Sequence, residues 1–135
     1  MTEILWTPAL ETGDPRIDEQ HQALIQAFND LATALAGNRG WEANGKTLRF
    51  LVSYTIQHFQ MEERLMEEAK YPGASRHRQL HHELVVKVSG LLQAYTQGSA
   101  NLSPEVLGFL EGWLMEHILG EDRRLAEFLR ERSVP

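Results

Sequence analysis

The chain has 135 residues, 13 basic and 19 acidic side chains, a formal net charge of −6 and no cysteine. That length suits one domain with a real core, and the acidic balance, without any basic stretch, excludes nucleic acid and anionic membranes as expected partners. Without cysteine there can be no disulfide, thiolate ligand, iron–sulfur cluster or thiol chemistry, so any bound metal must be held by imidazole and carboxylate.

Taken in chain order, the first fifteen residues carry Trp6, Pro8, Leu10 and Pro15 and read as an extended arm. Met1 to Leu10 lacks a cationic start followed by an apolar run, and no stretch is apolar enough to span a bilayer, so a cytoplasmic protein without membrane insertion is expected. A first helix, about Asp18 to Ala36, places Leu24, Ile25, Phe28, Leu31 and Leu35 at helical spacing with His21 on the same stripe, and Gly37 and Gly40 close it. The second, about Glu42 to Lys70, repeats Leu48, Leu51, Thr55, His58, Glu62 and Leu65 in heptad-like steps until Tyr71-Pro72-Gly73. The third, about Ala74 to Gln97, carries His77, His81, Leu84, Val88, Leu91 and Tyr95, and a loop from Gly98 to Leu102 follows. Ser103 as N-cap and Pro104 in the first turn open the fourth, which runs through Leu107, Leu110, Leu114 and His117 to about Leu129. The expected fold is all-α: a single domain over residues 1–135, an up-down-up-down antiparallel four-helix bundle with an extended N-terminal arm.

Five of the six histidines fall in order with two carboxylates: His21, His58-x-x-x-Glu62, His77-x-x-x-His81 and His117-x-x-x-x-Asp122. Residues four apart stand one turn above each other on a helix, so His58 with Glu62 and His77 with His81 form two chelating pairs. In an antiparallel bundle the start of the first and third helices and the end of the second and fourth lie at one end, which gathers all seven into one site with donors enough for two metal ions. Asp122, five residues after His117, would sit roughly 140° away on a regular helix, where Glu121 is the simple choice. A one-residue π-type widening, eased by Gly120, returns Asp122 to the inner face. Burying five imidazoles and two acids without a metal would cost several kcal/mol.

The pattern closely resembles the hemerythrin family, in particular its single-domain bacterial members. The resemblance runs through Trp6, Ile17-Asp18-Glu19-Gln20-His21, Tyr54-Thr55-x-x-His58-Phe59-x-x-Glu62, Tyr71-Pro72, Trp113-Leu114-x-x-His117 and Asp122. It implies a non-haem di-iron centre in which Glu62, Asp122 and an oxo or hydroxo group bridge the irons. His77, His81 and His117 would hold one iron, and His21 and His58 the other. One iron then keeps an open position for dioxygen. By the same resemblance Phe59, Trp113, Leu114 and Ile118 surround that position; Leu24, one turn after His21, joins them on spacing alone.

The function expected is reversible dioxygen binding for carriage, storage or delivery by a monomer that is not an enzyme, with an unidentified oxygen-consuming enzyme as recipient. A di-iron redox enzyme, such as a peroxidase or nitric oxide reductase, and an oxygen or redox sensor are the alternatives. His82 turns about 100° off the inner stripe and reads as a rim histidine. Glu62-Glu63 and Glu67-Glu68 read as a solvated face, Trp41 and Tyr95 as packing residues.

Overall fold

A computed structural model describes residues 4–37, 40–98 and 103–133. Four helical rods form the bundle. They are α1 (Pro15–Ala36), α2 (Trp41–Ala69), α3 (Ala74–Thr96), and a last rod in which α4 (Pro104–Glu116), a π-helical stretch (His117–Asp122) and α5 (Arg123–Ser133) follow without a break. α1 packs on α2, α2 on α3, and α5 returns against α2. No helix among the described residues is long and apolar enough to cross a membrane.

The helix starts are set by local chemistry. α1 begins at Pro15, earlier than the expected Asp18, because Asp14 accepts hydrogen bonds from the backbone N–H groups of Arg16 and Ile17 and Pro15 supplies a preset first turn. Asp18 is used differently: its carboxylate accepts from the Thr12 backbone N–H (2.8 Å) and hydroxyl (2.7 Å), pinning the arm to α1. The arm is not wholly extended, since Pro8–Leu10 form a 3₁₀ turn. It is latched again where Asn29 accepts from the Ile4 N–H and donates to the Ile4 carbonyl, and where Arg123 donates to the Ala9 carbonyl.

α2 ends where Lys70 turns left-handed (φ 54°) and the Tyr71 N–H bonds back to the Met66 carbonyl. Ser103 caps α4 through the Val106 N–H, with Pro104 next. The loop expected after Gly98 falls at 99–102, outside the described residues. Beyond Glu116 the last rod widens to π geometry over one stretch and then resumes, ending at Ser133 rather than near Leu129.

Two apolar clusters fill the interior. The larger takes Leu24, Phe28, Leu31, Leu48, Val52, Phe59 and their neighbours down the body of the bundle. The smaller, Ile17, Leu65, Met66, Leu125, Ala126 and Leu129, lies toward one end. On every rod the residues separating the two clusters are the histidines and carboxylates singled out in the sequence.

Candidate metal centre

Three rods supply a polar pair and α1 a single histidine, all at the same level. His21 comes from α1 between Ile17 and Leu24, His58 and Glu62 from α2 between Thr55 and Leu65, and His77 and His81 from α3 just after the Tyr71–Gly73 turn. His117 and Asp122 bracket the π stretch. All seven are buried; His21, Glu62 and Asp122 have no exposed surface at all.

The five Nε2 atoms converge on the two carboxylates. Asp122 Oδ2 lies 2.6 Å from His21 Nε2 and 3.5 Å from His58 Nε2, while Oδ1 of the same carboxylate lies 2.9 Å from His77 Nε2 and 2.8 Å from His117 Nε2. Glu62 Oε1 stands 3.4 Å from His58, 3.6 Å from His77, 3.2 Å from His81 and 3.9 Å from His117. The donor atoms therefore form two groups, Glu62, His77, His81, His117 and Asp122 on one side and His21, His58, Glu62 and Asp122 on the other. Both carboxylates belong to both groups.

The π stretch explains how Asp122 gets there. One extra residue per turn brings Asp122 under His117, whereas Glu121 is turned outward toward Arg124 (2.9 Å) and Arg76 (3.5 Å). Gly120 is not needed for space, because a Cβ there would meet nothing within 4 Å.

Hydrogen bonding on the far side of the rings fixes which nitrogen faces inward. His58 donates its Nδ1–H to Gln20 Oε1 (2.8 Å) and His81 donates its Nδ1–H to Glu63 Oε2 (3.0 Å). A neutral imidazole has one N–H, so both rings present a bare Nε2 lone pair to the centre. His77 and His81 each bring Nε2 to 3.1 Å from His117 Nε2, so three ring nitrogens crowd one point. Glu62 has neither carboxylate oxygen hydrogen-bonded despite complete burial, and Nδ1 of His21 and His77 is likewise without a partner. A centre left this way carries the cost of buried, unpaired polar atoms, and cations between the nitrogens and carboxylates remove it. The donor set of imidazole and carboxylate suits iron.

Electrostatics in the metal-free chain agree. Burial, with the neighbouring His117 and His77, pushes the His81 imidazole down to about 2, and burial lowers His58 as well, so both stay neutral and able to ligate. Burial and the adjacent Asp122 charge raise Glu62 well above the usual carboxylate range. Burial also presses Asp122 upward, but His117 and the hydrogen bonds from His117 and His21 outweigh it and hold that carboxyl well below its ordinary value. Two equally buried acids are thus driven apart until a cation neutralises both.

Aromatic rings brace the three-histidine side. Phe59 stacks on His81 (centroids 3.7 Å apart, planes 6°) and Trp113 on His117 (4.4 Å, 13°). Against the centre lies a cavity of about 40 Å³ whose wall includes His58, His117 and Asp122 together with Leu24, Phe59, Trp113, Leu114 and Ile118. It also extends among Phe28, Leu48 and Leu110, farther into the large cluster than spacing suggested. Sequence reasoning missed Gln20 and placed Glu63 on a solvated face. The only signal for either was adjacency in sequence to His21 and Glu62. His82 is exposed, as expected of a rim residue. Trp41 is half exposed and stacks on Tyr95, whose hydroxyl donates to the Trp41 carbonyl.

Residues 12–129 match the family model described as Hemerythrin HHE cation binding domain. A bacteriohemerythrin of Stenotrophomonas maltophilia is 33% identical over 127 residues, covering 94% of this chain and 82% of that protein. A myohemerythrin of Riftia pachyptila is 31% identical over 118 residues, 87% of each chain. Among solved structures, a wild-type hemerythrin superposes with a TM-score of 0.87 at 29% identity, covering 95% of this chain and 98% of the other.

Proposed function

The chain belongs to the hemerythrin family, and from that membership and the geometry above we infer that it binds dioxygen reversibly at a non-haem di-iron centre. The observation that carries the reading is that both buried carboxylates are shared by the two groups of imidazoles. Glu62 and Asp122 would be shared by the two irons; His77, His81 and His117 would complete one iron site, and His21 and His58 the other, which would have one protein ligand fewer. The iron pair, when bound, supplies the electrons that reversible dioxygen binding draws on.

What the chain adds is a dry place to do it. Leu24, Phe59, Trp113, Leu114 and Ile118 turn apolar surface toward the cavity beside His58. At about 40 Å³ it has room for a diatomic molecule, since roughly 10 to 15 Å³ on this measure holds one water. Thr55 also lines the cavity, but its hydroxyl is committed to the Leu51 carbonyl at 2.7 Å. Apart from His58, His117 and Asp122, which would be engaged by iron, no acid or base among the described residues lines that wall, so protons are kept from the site and the ligand can leave as it came. These features support a carrier or store rather than a catalyst. We place it in the cytoplasm as a monomer, passing oxygen to an oxygen-consuming enzyme.

The test is optical. Reduced, iron-loaded protein exposed to air is expected to gain an iron charge-transfer band that disappears when oxygen is withdrawn under argon and returns on re-exposure. Immediate, irreversible conversion to a ferric spectrum would instead favour a redox enzyme or sensor.

A further inference from the structure

Behind the ring of Nε2 atoms the two halves of the centre are built unequally. In the three-histidine half, His81 gives its Nδ1–H to the carboxylate of Glu63 at 3.0 Å; in the two-histidine half, His58 gives its Nδ1–H to the amide oxygen of Gln20 at 2.8 Å. One brace is anionic and the other neutral. Nothing comparable stands behind His21 or His77, whose Nδ1 atoms are buried without a partner.

The difference has a direct chemical consequence. A carboxylate accepting an imidazole N–H draws the proton toward itself and pushes electron density onto the opposite nitrogen, so the lone pair facing the metal becomes more basic; an amide oxygen does this much less. Phe59, stacked flat on His81 at 3.7 Å, fixes the ring plane so that this lone pair stays aimed at the centre. Glu63 itself is 36% exposed and holds no position in the core, so its side chain is free to serve His81 rather than packing.

We propose that Glu63 is a positioning residue that acts through His81 to make the three-histidine half selectively the tighter iron site, so that the two irons are held, and released, in a fixed order. This rests on the two-iron assignment above. The third imidazole favours the same order, and the contribution of Glu63 is separated from it by changing only the charge of the brace.

The experiment is equilibrium competition between iron-loaded, reduced full-length protein and a ferrous chelator under argon, counting iron retained per chain and identifying the one-iron species by Mössbauer spectroscopy. The wild type is expected to lose its irons in two separated steps, the survivor being the three-histidine iron. Glu63→Gln, which is isosteric at a partly exposed position, should weaken retention of that second iron about 10- to 100-fold while leaving the first step and the melting temperature in place. Gln20→Glu should strengthen the first-lost iron and narrow the gap from the other side. If Glu63→Gln releases both irons at wild-type chelator concentrations, or weakens both equally, the inference is overturned while the two-iron assignment stands. If wild-type protein never holds more than one iron, both fall together.

Discussion

The two apolar clusters flanking the centre are made of similar side chains and do opposite jobs. The small one seals: Ile17, Met66 and Leu125 have no exposed surface, and none of its members lines the cavity. The large one leaves room, because Leu24, Phe59 and Ile118 belong to it and also form the cavity wall beside His58. Hydrophobicity alone does not distinguish a plug from a pocket. What does is whether side chains from four rods meet at full density, and that is decided by register along the helices.

The largest effect should follow from removing the layer between the clusters. Asp122→Ala is expected to leave almost no iron bound, because each carboxylate oxygen faces a different group of imidazoles and Glu121 points outward to Arg124 and Arg76. Iron analysis after anaerobic reconstitution checks this; retention of two irons would show that Asp122 is no bridge.

On the sealing side, Leu125→Ala should cost roughly 2 to 5 kcal/mol, as trimming a fully buried leucine does, with iron content unchanged. Denaturant melts measure it. A cost near zero would mean that this end of the bundle collapses onto the gap and is not the plug described.

Leu114→Ala probes the other side, where the side chain is only partly buried and faces the cavity next to His117. Stability should fall by less than for Leu125, about 1 kcal/mol, while loss of the oxygenated spectrum accelerates as water gains access. An unaltered decay rate in a destabilised variant would assign Leu114 to plain packing and erase the contrast between the clusters.

The layer itself adds a pH dependence that neither cluster has. In the metal-free chain His81 and His58 resist protonation when folded, His81 down to about 2, yet take protons near 6.5 when unfolded. Stability from this source is complete above pH 6.5 and is lost as pH falls below it, because the unfolded state binds more protons. Glu62, raised by burial, works in the opposite sense above 4.5. Two histidines against one acid leave a net loss of stability as pH falls below 6.5. Melts of metal-free protein from pH 7.5 to 5 test it, and a flat profile would contradict it.

Much of this was legible in the chain. Heptad-like steps such as Leu48, Leu51, Thr55, His58 and Glu62 gave the helices, and short connections brought their polar ends together. Even the widening was written in the five-residue gap from His117 to Asp122. Less visible was anything set by side-chain reach across helices. Glu63 looked like one of a run of solvated acids because its neighbours are; only the packing of α2 on α3 brings its carboxylate to His81. The early start of α1 was hidden because Asp14 and Asp18 are both plausible caps, and the tertiary bond from Thr12 decides which one serves the arm. The clamp of Asn29 on Ile4 spans 25 residues and leaves no periodic trace.

The π stretch acts as a phase shifter for everything that follows it. Continued without the extra residue, the stripe through Leu110, Leu114 and His117 would carry Glu121, Arg124 and Phe128 inward. With it, the inward set becomes Asp122, Leu125 and Leu129, all buried, while Arg124 is exposed. A single inserted position thus sets the phase of both the proposed second bridge and the plug. The metal centre and the end of the apolar core are geared to one another, and neither can slip along the last rod without carrying the other out of mesh.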